Sequence, residues 1–201
     1  MAEKTRKIKK IMMVGNPNVG KSALFNRLTG GEAIVSNYPG TTVDYTKGEF
    51  AEGGVFYEVT DVPGTYSLEP RDGAEEVAVS LLEKAKGEVV MIVLDATRVE
   101  RGLYLALEVI ERGYPAIIAL NMVDEAHDKE ILISPSELQR LLGVPVVATS
   151  AISGEGLKDL AKMVGKARVS DVSSIKSALE GKSEEPAKSG GCAGCGGCGG
   201  C

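Results

Sequence analysis

Tryptophan is absent from this chain, histidine occurs once, and no cysteine precedes Cys192. All four cysteines fall in the last ten residues, so disulfides cannot support the fold. The sole imidazole, His127, stands in the polar stretch from Glu125 to Glu130 and reads as a solvated loop residue, not a catalytic base. Also missing is any run of the ~20 consecutive apolar residues that a membrane-spanning helix needs. Met1 to Lys10 lacks the apolar centre of a signal peptide. The expectation is a cytosolic chain, with peripheral attachment at the inner face of the cell membrane as a second option. Nor is there a surplus of basic residues: 23 Lys and Arg against 28 Asp and Glu give a net charge of -5, so nucleic acid is not an expected partner. The basic opening, Lys4, Arg6, Lys7, Lys9 and Lys10, reads as a solvated terminus.

What is present is 201 residues, 43% of them hydrophobic, enough for one α/β domain and a tail. Apolar runs bounded by turn residues alternate with amphipathic segments, the pattern of repeated βα units around a mostly parallel sheet. Strands are expected at Ile8 to Val14, Tyr45 to Ala51, Val55 to Asp61, Val89 to Asp95, Ala116 to Asn121 and Val144 to Thr149. The second and third form a hairpin turned at Glu52, Gly53 and Gly54. Helices are expected at Lys21 to Thr29, Gly73 to Lys86, Arg101 to Arg112, Ser136 to Leu142 and Gly156 to Lys166. The division is a domain over 1–169 and a flexible tail over 170–201, whose Cys-x-x-Cys spacing is the one internal repeat.

Five short segments carry chemistry. Residues 15–22 read GNPNVGKS between an apolar strand and a helix, the context in which this pattern cradles phosphates. Its members Gly15, Asn16, Pro17, Asn18, Val19, Gly20, Lys21 and Ser22, with Ala23 after them, are the expected nucleotide contacts. Lys21 would reach the β and γ phosphates, and the Ser22 hydroxyl would ligate magnesium. Asp61-Val62-Pro63-Gly64 ends a strand: Asp61 would hold magnesium through water, and Gly64 would offer a backbone N–H to the γ phosphate. Between them Pro39 to Asp44 suits a switch loop, with Thr42 as the second magnesium hydroxyl and Thr41 as the alternative register. Asn121-Met122-Val123-Asp124 reads the base, because a carboxylate at Asp124 can accept both hydrogens of the guanine N1 and N2 edge, a pair adenine lacks. Ser150 and Ala151 follow the last strand, where the Ala151 N–H would donate to guanine O6. Each segment is weak alone. Their common order, each at the loop end of a strand, points to a Ras-like P-loop GTPase: α/β, with a six-stranded mostly parallel sheet and helices on both faces.

The stretches GNPNVGKSALFNRLTG, NYPGTTVD, DVPGTYSL and VLDATRVERGLYLALEVIERGYPAIIALNMVD resemble the N-terminal GTPase domain of the ferrous-iron transport protein B family, FeoB, among the TrmE-Era-like potassium-stimulated GTPases. The likeness runs from about Lys7 to Val164. It implies GTP and GDP as ligands, Mg2+ as cofactor, Lys21, Thr42 and Gly64 in the catalytic set, and a potassium ion held with the help of Asn18. It further implies slow GTP hydrolysis as a switch for ferrous-iron uptake. Thr65 replaces the water-orienting Gln that many regulatory GTPases carry after the Gly, and no side chain there can act as a base. Met122 replaces the more widespread Lys of the base-reading motif, from which weaker nucleotide affinity and quick GDP release are expected.

Members of that family continue into a helical and then a membrane domain. The expectation here is a separately encoded GTPase or a truncated chain working with a separate membrane iron-transport protein, with self-association as a further option. Cys192, Cys195, Cys198 and Cys201 would suit a soft or borderline metal such as Fe or Zn, with plain low-complexity sequence and lipidation as rival readings. Two other functions stay open. One is a ribosome-assembly or RNA-modification GTPase; the other is a metallochaperone whose nucleotide domain only senses.

Overall fold

The computed structural model describes residues 8–39, 41–170 and 175. Seven strands form one sheet: β1 (Ile8–Gly15), β2 (Ala33–Asn37), β3 (Asp44–Glu52), β4 (Val55–Asp61), β5 (Val89–Asp95), β6 (Ala116–Asn121) and β7 (Val146–Ala148). Their order is β2-β3-β4-β1-β5-β6-β7. The five strands from β4 to β7 in that order pair in parallel, and β2 and β3 are antiparallel additions at one edge. The expected fold class therefore stands, with one strand more than the six read from sequence. The extra one is β2, whose Ala33, Ile34 and Val35 are exposed. An apolar run of three without burial carries no strand signal.

The helices among the described residues are α1 (Lys21–Thr29), α2 (Gly73–Lys84), α3 (Val99–Glu111), α4 (Val123–Asp128), α5 (Pro135–Leu142) and α6 (Leu157–Val164). Because side chains alternate along a strand, each central strand feeds two cores. Met12 and Val14, Val90, Ile92 and Leu94, and Ile118 and Leu120 pack on one face with residues of α2, α3 and α5. Ile11 and Met13, Met91 and Val93, and Ile117 and Ala119 pack on the other with α1 and α6. Burial on both faces is what makes these strands read as continuous apolar runs.

Local chemistry sets the element ends. Asp72 caps α2 by accepting from the N–H groups of Ala74 and Glu75 at 2.9 and 2.8 Å, and Ser134 caps α5 by accepting from Glu137. Pro135 occupies the first turn of α5, so that helix starts one residue before the expected Ser136. The β3–β4 hairpin turns at Gly53 and Gly54, whose φ of 57° and 78° are the left-handed pair a two-residue turn requires. Two expectations change. His127 lies in α4, not in a loop, although it stays exposed. Ile175, placed by sequence in the tail, is 7% exposed within the core that contains Leu142, Val144 and Val146. The four tail cysteines lie outside the described residues.

Gly48 of β3 marks where α1 presses on the sheet. A Cβ there would stand 2.7 Å from Thr29 Cγ2 and 2.9 Å from Phe25 Cζ. Gly→Ala in an open strand gains ~0.4–1 kcal/mol by restricting the unfolded chain, whereas overpacking a closed core costs ~1–3 kcal/mol, so the clash wins. Gly48→Ala is expected to destabilise by a net ~1–2 kcal/mol, read as a lower urea midpoint at unchanged m value.

Candidate nucleotide-binding site

The carboxyl end of β1 delivers the chain into a tight loop. Gly15 pairs with Val93 of β5, and a Cβ on Gly15 would lie 2.6 Å from the Val93 carbonyl, so the loop leaves the sheet only through a glycine. Asn18 and Gly20 then take left-handed φ values of 67° and 78°, turning the loop back on itself ahead of α1. Such a turn of successive N–H groups, opening at a helix N-terminus, is an anion cradle. It bounds a cavity of about 390 Å³ lined by Asn16, Pro17, Asn18, Gly20, Lys21, Ser22, Ala23 and Gly64. Asn16 is 4% exposed and its side chain turns to α3, donating from Nδ2 to the Arg101 carbonyl at 2.9 Å, so its backbone is what the loop offers.

Asp61, at the end of the neighbouring β4, completes the cradle. Its Oδ1 pairs with Lys21 Nζ, and its Oδ2 accepts from Ser22 Oγ at 2.9 Å. Both charged side chains are 10% exposed, a depth at which each needs its partner. The strand end is fixed by Val62 N–H donating to the Met13 carbonyl at 3.1 Å and Thr65 N–H donating to the Gly15 carbonyl at 3.2 Å. Gly64 is thereby held against the loop, where a Cβ would be 3.1 Å from the Pro17 backbone. Of the sequence-predicted set, Lys21, Ser22, Asp61 and Gly64 converge here. Thr42 does not: it is exposed and, among the described residues, hydrogen-bonds to none of them.

At the end of β6, where the sequence leads one to expect the base contact, Asn121 is 1% exposed and its amide joins three loops. Nδ2 donates to the Val19 carbonyl at 3.0 Å, while Oδ1 accepts from Ala151 N–H at 3.1 Å and Thr149 Oγ1 at 3.4 Å. The Ala151 N–H expected to face a base oxygen is thus donated to Asn121 in this structure. Met122 adopts φ 63°, which turns the chain into α4 and sets Asp124 in its first turn. Asp124 is half-buried, with no hydrogen bond among the described residues. Ser150 is fully buried and its Oγ accepts from Ser153 N–H at 3.1 Å, shaping the last loop. Arg27 of α1, which sequence reasoning missed, secures that loop by donating to the carbonyls of Ala151 at 3.0 Å and Ile152 at 2.6 Å.

With this geometry in place, similarity to known proteins is specific. Residues 9–164 match the family described as Ferrous iron transport protein B. The chain belongs to this family. The Fe(2+) transporter FeoB of Leptospira biflexa is 39% identical over 161 residues, which cover 80% of this chain and 23% of that protein. FeoB of Escherichia coli is 38% identical over 154 residues, covering 75% and 20%. The chain thus spans about a fifth of the length of these curated relatives. The crystal structure of the G domain of T. maritima FeoB matches with a TM-score of 0.74 at 40% identity, over 80% of this chain and 98% of that one. The G domain of Methanococcus jannaschii FeoB matches with a TM-score of 0.70 at 38% identity, over 80% and 97%.

In this FeoB-family domain the segment after Gly64 is held by carboxylates that the sequence does not single out. Thr65 is fully buried, and its Oγ1 donates to the Ser67 carbonyl at 2.5 Å and to Glu75 Oε1 at 3.2 Å. Glu75 also accepts from the N–H groups of Tyr66 and Arg71, at 3.3 and 2.9 Å. Glu108 of α3 accepts from Ser67 Oγ and Leu68 N–H, at 3.0 and 2.8 Å, and Arg112 donates to the Leu68 carbonyl. Glu75 follows its helix cap by three residues, so the sequence carries a capping signal, but nothing in it shows that the carboxylate turns to the loop instead. For Glu108, on an amphipathic helix some forty residues away, there is no local signal.

Asn121→Ala is expected to leave the Val19 carbonyl and Ala151 N–H unpaired. The expected cost is about 1–3 kcal/mol in urea unfolding, together with at least ~10-fold weaker guanine-nucleotide binding by calorimetry.

Proposed function

We propose that the chain binds guanine nucleotide and hydrolyses GTP as a slow switch, coupled to ferrous-iron uptake by a separate membrane iron-transport protein. The observation that carries this reading is the meeting of Lys21 and Ser22 at Asp61 under the loop that Asn121 ties to the base-reading segments. The iron coupling rests on the family to which the chain belongs.

The residues present fit the groups such a reaction requires. A Cβ at Gly20 would collide with Asn121 Nδ2, so glycine there lets the amide brace the loop that forms the cradle. Ser22 Oγ and the Asp61 carboxylate are hard oxygen donors of the kind magnesium takes, with Thr42 as the donor that switch I would add. When bound, magnesium would neutralise charge developing between the β and γ phosphates. Lys21 binds the phosphate oxygens, the backbone N–H groups of the loop and of Gly64 surround them, and Asp124 accepts from guanine. Residues 1–169 would suffice for these roles. Asn18 lines the cradle with a left-handed backbone, and its side-chain oxygen would help to hold potassium.

The base to be expected after Gly64 is lacking, since Thr65 is buried in hydrogen bonds to Ser67 and Glu75. Orienting the water then falls to backbone groups of the switch loop, to Tyr66, which is 56% exposed, or to the cation, and intrinsic turnover is slow. Met122 gives the base no ammonium cover, which favours quick GDP release.

The deciding measurement compares GTP with ATP hydrolysis by the purified chain with magnesium. GTP should be preferred, and Asp124→Asn should cost about tenfold or more of that preference. Equal rates for both nucleotides would sink the guanine reading. Potassium should accelerate hydrolysis over sodium, and Asn18→Asp should change that ratio; equal rates in the two salts would remove potassium from the mechanism. Pull-down from native membranes with the GTP-bound form should recover an iron-transporting membrane protein, and recovery of ribosomal particles instead would reverse the assignment.

A further inference from the structure

The loop that carries Thr42 is closed on itself and fastened to α2. Tyr38 N–H donates to the Val43 carbonyl at 3.0 Å, and the Tyr38 carbonyl accepts from Thr41 N–H and from Thr41 Oγ1, each at 3.1 Å. The Tyr38 side chain leaves the loop for the helix. Its hydroxyl shares a hydrogen bond with Ser80 Oγ at 2.5 Å and accepts another from Lys84 Nζ at 2.6 Å. Lys84 Nζ also stands 4.5 Å from the centre of the Tyr38 ring, within cation–π range. The hydrogen bond from Lys84, then the one with Ser80, draws the phenol below its ordinary pKa.

Ser80 and Lys84 are four residues apart, so they share one face of α2. The first turn of the same helix carries Glu75, which holds Thr65, Tyr66 and Arg71. One rigid helix therefore grips the segments on both sides of the phosphate cradle. While it does so, Thr42 lies inside the closed Tyr38–Val43 loop, exposed, and Ser22 is engaged by Asp61.

We propose that Tyr38 is a positioning residue: with Ser80 and Lys84 it latches switch I to α2 with Thr42 withdrawn, and the latch must release before Thr42 engages a nucleoside triphosphate and its metal. This rests on the guanine-nucleotide reading above. The latch favours the diphosphate complex, which has no γ phosphate to draw Thr42 in, and it ties the position of switch I to the helix that holds switch II.

Tyr38→Phe keeps the ring and removes both hydrogen bonds of the hydroxyl. Lys84→Met keeps the stem and removes the charge. The measurement is the dissociation constant of GDP and of GMPPNP, each with magnesium, by calorimetry. Either variant should tighten GMPPNP relative to GDP by about three- to tenfold, the size of one or two net hydrogen bonds. Placing Thr42→Ala in the Tyr38→Phe background should erase that gain, which a merely structural role for Tyr38 would not predict. Tyr104→Phe, at an exposed tyrosine of α3, should leave the ratio unmoved. Equal changes for both nucleotides, weaker GMPPNP binding alone, or a gain that survives Thr42→Ala overturns the latch. A wild-type chain that binds neither nucleotide overturns the reading beneath it as well; one that binds both, with a ratio no variant moves, overturns the latch alone.

Discussion

The buried amide of Asn121 is the interaction on which the arrangement of the site depends. A carboxamide that is 1% exposed must find partners for its donor and its acceptor, and here they come from the ends of two other strands. Val19 follows β1, Asn121 ends β6, and Thr149 and Ala151 follow β7. Because these strands run parallel, their carboxyl ends lie along one edge of the sheet, and one side chain reaches the loops of all three. Gly20 gives the amide its room, and no larger residue could stand at that point of the loop.

As Asn121 ties the end of β6 to its neighbours, Asp61 ties the end of β4 to the loop and helix after β1. Its two oxygens hold Lys21 and Ser22, so the ammonium and the hydroxyl meet beside the loop that is shaped to surround an anion. Beyond it, the chain from Thr65 to Arg71 has no regular structure of its own, and it is ordered by Glu75 and Glu108 reaching in from α2 and α3. These carboxylates accept from backbone N–H groups that no strand or helix would otherwise satisfy. Helix α2 accordingly holds the segments on both sides of the cradle, through Glu75 at one end and Lys84 at the other.

Much of this architecture is legible in the amino-acid sequence. The central strands announce themselves because burial on both faces turns them into unbroken apolar runs, and GNPNVGKS is credible because a strand precedes it and a helix follows. The antiparallel edge is harder to read. The β3–β4 hairpin has its Gly-Gly turn, but β2 is short and exposed, and it pairs with β3 at the edge of the sheet. Helix α4 hides in a polar stretch, since only Ala126 is buried and there is no apolar stripe to follow. The composition around Ile175 assigns it to the tail, whereas a single apolar side chain is enough to reach the core.

From the amino-acid sequence come the fold class, the order of the five short segments and the candidacy of Lys21, Ser22, Asp61, Gly64, Asn121 and Asp124. These follow from local pattern, periodicity and the chemistry that guanine and phosphate demand. The partners those residues take come from the packing of the folded chain. It sent the Asn16 side chain to α3, gave the Ala151 N–H to Asn121, left Thr42 in solvent, and brought Glu75, Glu108, Ser80 and Lys84 to the switch loops. The physical reason is distance along the chain. Hydrogen bonds between residues 10 to 85 positions apart exist only once the fold has brought the loops to one edge of the sheet, and no local periodicity records them.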